Sequence, residues 1–521
     1  MEQPSADQIA AAEQLFLERW YALDEGSARQ ILNVASALDD RSLVKHPALL
    51  RGAVIASHLA ELSGDTRGDH APLLERFASV VENGAHAGRN VPADPQWVMM
   101  RMMAARWRNN LPRAVELSDR LGSLQQGVGI RAVLQGSEPD ELRPGQVALQ
   151  RGLTATLAGH PSAAMELFAQ AYRAGGLPPY KHFASVNAAA NAAMLAAVEG
   201  HDAVAEKWLE RLDESGPIPK WSADLLLVGA QIAKSVLATD TGDLGRATAA
   251  ITELRRAGDR LELWPYVLYA VTAYDLARDE PVQAFKRMKA VGFERNLVIS
   301  SEPIADHLVF RAYLDTLVAG GEGGLALRLA EDLDYPLRSL VPVARTRLLA
   351  GDNAAAARVA ARAMRRVLLP KRDMWEATLV HALAELRQGQ RETALRSFRL
   401  ILAGGPASLP SILGRAPARD IADLYELAGL EAPTGVTQPS PLSAEIAALT
   451  ARERGVLQHL SDGLTPAQIA KIDVTSEHTV RTHIKRIYRK LGVNSRDAAV
   501  SRANDLGLLR WAHLDGKQHT L

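Results

Sequence analysis

The chain of 521 residues is too long for one hydrophobic core and is expected to divide into several units. Its 47% hydrophobic and 23% charged residues are ordinary for a globular protein, and the low aromatic content of 5% favours helix over sheet. The absence of cysteine excludes disulfides, thiol catalysis and cysteine-ligated metal sites. With no long apolar run and no leader-like start, we expect a cytoplasmic protein without a membrane partner.

Residues 1–140 have the apolar periodicity of helices. The stretches AEQLFLERWYAL and WVMMRMMAARW are typical examples. No clear repeat can be phased in this region. It is interpreted as an N-terminal helical region, formed by degenerate or capping repeats.

Residues 141–430 repeat one pattern, in which a small-residue helix, a short turn and a second, alanine-opened helix follow each other. The turns are marked by Gly159, Gly200, Gly242, Asp279, Gly320, Gly351 and Gly389. A period of roughly 40 residues is typical of stacked helix hairpins. The pattern resembles tetratricopeptide-like repeats, and most closely the repeat region of the MalT-type regulators. That resemblance implies an all-α superhelix whose concave groove holds a peptide, a protein or a small-molecule effector.

The sequence contains no motif that points to catalysis. No P-loop occurs, so the ATPase that precedes the repeats of large MalT-type regulators is not expected, and the G-x-S-x-G and H-E-x-x-H motifs are missing as well. The glycine-rich stretch at 320–324 lies between two helical patterns and is interpreted as a turn. We therefore expect no enzyme activity, no catalytic residue, no cofactor and no metal.

Residues 431–448 are predicted to be a linker because they are rich in proline and small polar residues. The formal net charge of zero hides an asymmetry across this linker. Residues 449–521 carry a balance of +5, whereas the 448 residues before them carry −5. An excess of cations at one end suggests an anionic partner for that end.

Residues 449–510 contain four predicted helix starts, and residues 511–521 form a tail. Thr450 with Glu453 has the capping-box spacing, Thr465 and Ser476 are N-cap candidates, and Ser495 begins the last helix. A short helix joined tightly to a longer basic helix is the pattern of a helix-turn-helix. A small four-helix domain of this kind is therefore predicted to follow the repeats.

The third helix of this domain has two distinct faces. Val480, Ile484, Ile487 and Leu491 fall on one narrow stripe, which predicts the buried face. The opposite side carries Thr482, Lys485 and Arg489, with Arg481 and Arg486 on its flanks. A solvated charged face normally mixes acids with bases, yet no acid occurs between Val480 and Leu491. These cations therefore favour contact with duplex DNA in the major groove.

The same region resembles the LuxR/NarL-type helix-turn-helix family. The residues that carry the resemblance are Leu449, Thr450, Arg452, Glu453, Leu457, Gly463, Ile469, Ala470, Ser476, Thr479, Val480, His483, Ile487, Lys490, Leu491, Gly492, Val493, Arg496, Ala498, Ala499 and Val500. The resemblance implies that Arg481, Thr482 and Lys485 face bases and that Thr479 approaches the DNA backbone. It also implies a homodimer, paired through residues 495–506, although the apolar residues of that helix could equally pack inside their own domain.

Two positions depart from the pattern of the family. Asp473 and Thr475 stand where the family has Leu and Ile or Val. Because a buried unpaired carboxylate is costly, we expect a displaced turn in which Ile472 and Val474 are buried and Asp473 lies in solvent. In the second helix, Ala467 and Gln468 replace the usual Lys or Asn followed by Glu, so that one phosphate contact is expected to be lost.

The sequence thus predicts a transcriptional regulator whose repeats sense an effector and whose C-terminal domain binds duplex DNA. An alternative stays open, in which the chain is a repeat-based interaction adaptor and its helix-turn-helix docks a protein. Neither the operator, nor the effector, nor the sign of regulation follows from the residues.

Overall fold

The structure of the chain is a computed structural model. It describes residues 3–19, 25–62, 71–83, 95–135, 145–175, 183–216, 218, 223, 225–257, 262–295, 298–299, 304–332, 337–433, 451–505 and 519–520. These residues form two compact units. The first comprises Met1–Lys234, Thr252–Trp264 and Pro303–Ala305, and the second comprises the rest of the chain.

The helices of the first part of the chain follow each other with short connections. They are Ala6–Arg19, Glu25–Ala37, Asp40–Leu43, Pro47–Leu62, Ala71–Asn83, Pro95–Trp107, Leu111–Gln135, Gln146–Leu157, Pro161–Ala174, Phe183–Glu199 and Asp202–Asp213. The N-terminal members enclose a core that includes Phe16, Ile31, Leu50 and Phe77. Tandem hairpins are evident from Pro95 onwards, so the region before residue 140 also contains one hairpin whose turn is centred on Asn109.

The helices continue in the same manner towards residue 433. They are Val228–Thr241, Leu244–Ala257, Trp264–Ala277, Pro281–Arg295, Ile304–Ala319, Gly323–Asp332, Leu340–Leu349, Asn353–Met364, Lys371–Arg387, Arg391–Gly404, Leu409–Leu413 and Ala418–Leu427, with a 3-10 turn at Leu337–Ser339. A two-residue strand, Val298–Ile299, pairs antiparallel with His519–Thr520. The predicted all-α fold of helix hairpins is confirmed, with this short strand pair as an addition.

One hydrogen-bonded turn recurs in the hairpins. At Gly159 the backbone is left-handed (φ 76°), and the next N–H, of His160, donates to the carbonyl of Ala155 at 2.8 Å. This is the Schellman ending of a helix, which places a residue of positive φ directly after the last turn. The same bond follows Gly200, Gly242, Asp279, Gly321, Gly351 and Gly389. The turn predicted at Gly320 is therefore displaced by one residue, to Gly321.

A buried ionic network joins the first helices of three consecutive hairpins in the second unit. Its members are Arg311, Asp315, Arg345, Asp373, Glu376 and Arg415. Arg311 donates to Asp373 at 2.9 Å and to Glu376 at 2.7 Å. Arg415, from the segment after the third hairpin, donates to Glu376 at 2.9 Å. The hairpins are thus fixed to each other by charge-assisted bonds as well as by apolar packing.

The pKa values of the buried carboxyl groups depend on the opposing effects of burial and of the neighbouring arginines. Burial raises the pKa of Glu376, but Arg311, Arg345 and Arg415 together lower it by more than burial raises it, so the net shift is downward. The pKa of Asp315 is lowered for the same reason, against the effect of burial. Asp373 differs because burial dominates there and raises its pKa. Two of the three carboxylates are therefore held firmly in the ionised form.

Candidate nucleic-acid interface

The C-terminal domain consists of four helices, Ala451–Ser461, Pro466–Ile472, Glu477–Leu491 and Arg496–Asp505. The third of these is called the basic helix below. The domain core contains Val456, Leu457, Leu460, Ile469, Ala470, Val480, Ile487, Leu491, Ala499 and Ala503. Val480, Ile487 and Leu491 are buried, and Ile484 packs against the core as a partly buried residue, so the predicted stripe of the basic helix is confirmed.

The helix ends follow from local side-chain chemistry. Thr465 caps the second helix in a reciprocal capping box with Gln468, and Pro466 occupies the first turn. Ser476 caps the basic helix and accepts the N–H of Thr479 at 3.1 Å, and Gly492 ends it with φ 66°. Ser495 accepts the N–H of Ala498 at 3.2 Å at the start of the last helix. The caps predicted at Thr465, Ser476 and Ser495 are confirmed, and Gln468 is used for capping.

The turn before the basic helix differs from our prediction. Ile472 is 54% exposed and Val474 is 92% exposed, whereas the Asp473 side chain is only 15% exposed. The expected burial of Ile472 and Val474 is therefore wrong, and so is the expected solvent position of Asp473. The physical reason is the helix period: Asp473 follows Ile469 by four residues and so lies on the same, inward side.

Asp473 is not left without a partner in this position. Its Oδ1 lies 3.5 Å from Nε2 of His459 on the first helix, and its carbonyl oxygen accepts a bond of 2.6 Å from Nη2 of Arg452. The turn itself is again a Schellman ending, since the N–H of Thr475 donates to the carbonyl of Ala470 at 2.9 Å. Val474 takes the left-handed place, with φ 49°, that glycine takes in most of the other turns.

Two further contacts fix the basic helix and the last helix to the first. Nζ of Lys490 lies 2.7 Å from Oε2 of Glu453, whose side chain is only 3% exposed. Arg496 donates to the carbonyl of Leu460 at the end of the first helix, at 2.6 Å from Nη2. The carboxylate of Glu453 is thus paired with Lys490. The capping box predicted for Thr450 and Glu453 stays a prediction, because Thr450 lies outside the described residues.

The predicted DNA-contacting residues all lie on the basic helix, away from its core side. Arg481, Lys485, Arg486 and Arg489 are exposed, while Thr479 and Thr482 are half-buried. Lys485, Arg486 and Arg489 have no side-chain hydrogen bond or ion pair within residues 451–505, the part of this domain that the structure describes. Their charges therefore face solvent without internal compensation.

The other three predicted residues have local partners. Arg481 donates to Oε1 of Glu477 from Nε at 3.0 Å and from Nη2 at 2.6 Å, so two of its three guanidinium nitrogens are engaged in that pair. The hydroxyl of Thr482 donates to the carbonyl of His478 at 3.0 Å, and the hydroxyls of Thr479 and Ser476 lie 2.7 Å apart. Such bonds hold these side chains in one rotamer while an oxygen lone pair remains available.

The last helix packs into the core of its own domain. Ala499 and Ala503 are fully buried in the domain core, while Ala498 is half-buried. Leu506, the other apolar position considered for pairing of subunits, lies outside the described residues. The intradomain packing considered for Ala499 is therefore found, and the pairing of two subunits through this helix stays a prediction.

Comparison with known proteins identifies this domain. Residues 447–503 match the sequence profile of the family described as bacterial regulatory proteins, luxR family, and the LuxR-type helix-turn-helix recognised from the sequence is confirmed. The boundaries expected for the individual domains stay a prediction, because residues 434–450 lie outside the described residues.

Several regulators are similar to this chain over the same domain. The probable csgAB operon transcriptional regulatory protein of Salmonella typhimurium is 43% identical over 63 residues, which are 12% of this chain and 29% of the relative. A nitrate/nitrite response regulator protein homolog of Haemophilus influenzae is 51% identical over 51 residues, or 10% and 24% of the two chains. The probable transcriptional regulatory protein NarL of Mycobacterium tuberculosis is 46% identical over 55 residues, or 11% and 26%. The chain thus spans about a quarter of the length of these relatives.

Proposed function

From a LuxR-type helix-turn-helix at its C-terminal end, we propose that this chain is a DNA-binding transcriptional regulator. The basic helix reads the major groove of duplex DNA, and the helix hairpins before it bind a peptide, a protein or a small-molecule effector. Two copies bind as a homodimer to half-sites about 10–10.5 base pairs apart. The similarity to known regulators covers the C-terminal domain, and we propose the same function for the whole protein.

One observation supports this proposal above all others. Lys485, Arg486 and Arg489 form an exposed cationic face on the side of the basic helix away from the buried Val480 and Ile487, and none of the three has an ion pair within residues 451–505, which the structure describes. Arginine and lysine at such positions donate to guanine O6 and N7 and to phosphate oxygens. The caps at both ends of the helix fix its direction, so that this face is presented as a rigid surface.

The resemblance to the LuxR/NarL-type family implies the roles of Thr479, Arg481, Thr482 and Lys485, and the two remaining cations are assigned to phosphates. Arg481, Thr482 and Lys485 face base edges, Thr479 contacts the DNA backbone at the start of the helix, and Arg486 and Arg489 neutralise phosphates. Because Arg481 is paired with Glu477, its contribution to base reading includes the cost of breaking that pair.

A binding selection with the full chain tests the proposal. Duplexes would be enriched from a random library in the presence of excess nonspecific DNA, and the affinity for the enriched site would be measured for wild type, Lys485→Ala and Lys207→Ala. Lys207 is an exposed cation on the helix Asp202–Asp213, outside the C-terminal domain, and serves as the control. We expect Lys485→Ala to weaken specific binding by about 1–3 kcal/mol and to relax the preference at one base position. Lys207→Ala should bind as wild type does.

Two outcomes would contradict the proposal. If no sequence is enriched, the chain is not an operator-binding regulator, and recovery of a protein partner would then support the adaptor alternative. If a sequence is enriched but Lys485→Ala binds it as tightly and as selectively as wild type, the assignment of base reading to the basic helix is wrong.

A further inference from the structure

A second cationic surface lies on the repeats, in the hairpin Leu340–Leu349 and Asn353–Met364 and in the loop that follows it. Residues 353–372 contain six basic side chains and no acid. Arg358, Arg362, Arg365, Arg366 and Lys371 are exposed. Of these, Arg358, Arg365, Arg366 and Lys371 have no ion pair within the part of the chain that the structure describes. Such a run is unusual for a solvated helix face.

The geometry places three of these arginines in one row. Arg358, Arg362 and Arg365 are spaced by four and three residues, so they fall within one narrow stripe of the helix, and Arg366 lies beside it. The opposite side of the same helix carries Ala356, Ala360 and Ala363, which are fully buried. The stripe is therefore held rigidly outward by a packed helix, and its arginines are not members of the ionic network inside the repeats.

Another helix of the chain shows the contrast. Asp202–Asp213 occupies the same place in an earlier hairpin and is also exposed on one face. There the cations Lys207 and Arg211 alternate with Glu206 and Glu210. The repeat architecture therefore does not require an acid-free face, and the stripe at 358–366 is a local property of this hairpin.

The surface is cationic and has little apolar area. Val367 and Leu368, in the adjoining loop, are 97% and 78% exposed. The two side chains are adjacent in the chain and directly follow the cations Arg365 and Arg366, so they do not form an apolar surface separate from the charges. A residue as exposed as Val367 also cannot line a groove. These features favour a polyanion over an amphipathic acidic segment of a protein.

We infer that the arginine stripe at 358–366 is a second DNA contact, which binds the phosphates of duplex next to the site read by the basic helix. The inference rests on the proposed function. Arginine is suited to phosphate because its planar fork donates two bonds to one phosphate group. The stripe is about 10 Å long at 1.5 Å per residue, which matches the rise of about three successive phosphates of one strand.

The linkage between the two surfaces makes such a contact effective. A duplex bound by the C-terminal domain is held close to the repeats by a tether in the same chain. A weak second contact then acts at a high effective concentration and strengthens binding without any sequence preference of its own. The stripe therefore adds affinity, while the basic helix supplies specificity.

The test compares two lengths of duplex with the full chain. One duplex carries the selected site alone, in about 20 base pairs, and the other extends it by flanks to about 60 base pairs. The variant is the triple substitution Arg358→Gln, Arg365→Gln and Arg366→Gln. The control is Lys207→Gln, Lys234→Gln and Arg246→Gln, which removes three exposed cations elsewhere. Glutamine keeps the helix propensity, and circular dichroism checks that both proteins are folded.

We expect the slope of log K against log salt for the long duplex to become shallower by about 2–3 in the stripe variant, because each phosphate contact contributes about 0.9. The short duplex should be bound with the slope of wild type, and the control should match wild type on both. Substitution of Val367 and Leu368 by Ser should leave binding to both duplexes unchanged, since phosphate contacts need no apolar surface.

Several results would overturn this inference. An unchanged slope on the long duplex would show that the stripe does not touch DNA. An equal loss on both duplexes, or an equal loss in the control, would show a general effect of net charge. If the Val367 and Leu368 substitutions lowered affinity as much as the arginine substitutions, a protein-like interface would be indicated. Failure of the wild-type chain to select any sequence would instead contradict the proposed function itself.

Discussion

Oδ1 of Asp473 lies 3.5 Å from Nε2 of His459, so that the turn leading into the basic helix is paired with the first helix of its domain. Both side chains are mostly buried, at 15% and 24% exposure. Together with the bond from Arg452 to the Asp473 carbonyl, this pair fixes the turn at two points. An aspartate in a place where an apolar residue was expected is thus tolerated because it has a specific partner.

The pair can be tested by a double-mutant cycle of Asp473→Ala and His459→Ala in the full chain. We expect each single substitution to lower the opening free energy of amides in residues 466–480 by about 1 kcal/mol, and the coupling energy to be about 0.5–1 kcal/mol. Hydrogen exchange measured by mass spectrometry reports this region separately from the repeats. Asp462→Ala, at an exposed aspartate, serves as the control. Additive effects of the two substitutions would show that the pair contributes nothing.

Val474 is a site where a single substitution should stabilise the domain. Its φ of 49° is unfavourable for a β-branched residue, and its side chain is 92% exposed and makes no compensating packing. We expect Val474→Gly to raise the opening free energy of the adjoining amides by about 1 kcal/mol, because relief of strain exceeds the added entropy of the unfolded chain. The same exchange measurement checks it, with Val474→Ala as the comparison. A faster exchange in the glycine variant would contradict this expectation.

The turn before the basic helix contains features that the sequence predicts and features that it does not. The caps at Thr465 and Ser476 and the buried stripe through Val480 and Ile487 depend on neighbouring residues, and they could be predicted. The left-handed conformation at Val474 opposes the preference of valine, so no local rule indicates it. The pairing of Asp473 with His459 requires knowledge of how two helices pack, which the pattern of one helix does not contain.

The ionic network of the repeats cannot be predicted from the sequence, for a similar reason. Arg311 and Glu376 are 65 residues apart in the chain, and their charges read as ordinary surface charges in each helix taken alone. The same holds for the pair of Arg372 with Asp240, which are 132 residues apart. The hairpin turns, by contrast, could be placed almost to the residue, because a glycine or aspartate after each helix is a local signal.

The network predicts an acid-sensitive fold. A carboxyl whose pKa is lowered in the folded chain stabilises the fold at pH values above its unfolded pKa, and this stabilisation is lost as the pH falls towards the folded pKa. Asp315 and Glu376 belong to this class. Asp373, whose pKa is raised by burial, acts in the opposite direction and opposes their effect. With two carboxyls against one, we expect stability to fall below about pH 4.

The substitution Arg415→Gln tests this origin of the acid sensitivity. Arg415 is the most exposed cation of the network, at 26%, and contacts both Asp315 and Glu376. Without it, the pKa values of both carboxyls should rise, so the midpoint of acid unfolding should move to higher pH by roughly half a unit. Circular dichroism during an acid titration measures the midpoint, with the exposed Lys207→Gln as control. A midpoint equal to that of wild type would show that these contacts do not govern acid unfolding.

The two arginines that we assign to phosphates should act differently from the residues that we assign to bases. Arg486→Ala and Arg489→Ala should each weaken binding to all duplexes alike and make the salt slope shallower by about 1. The reason is that a phosphate contact releases counterions but carries no sequence information. Affinity for the selected site and for an unrelated duplex, measured across a salt series, checks this. A loss confined to the selected site would assign the affected arginine to base reading.

Glu477 provides the sharpest test of whether the Arg481 pair limits DNA binding. In the free chain its carboxylate holds the Arg481 guanidinium at 2.6 Å, and it is the single acid of the basic helix. Glu477→Gln removes a charge that repels phosphates and releases Arg481 for the groove, so we expect tighter binding to all duplexes, by about 0.5–1 kcal/mol. The gain should be larger at the selected site than on unrelated DNA, because base contact by Arg481 no longer requires the pair to break. Gel-shift titrations on both duplexes, repeated in the Arg481→Ala background, separate the general gain in affinity from the additional gain at the selected site. In the Arg481→Ala background, the additional gain at the selected site should disappear while the general gain remains. If the additional gain were undiminished, Arg481 would not read bases.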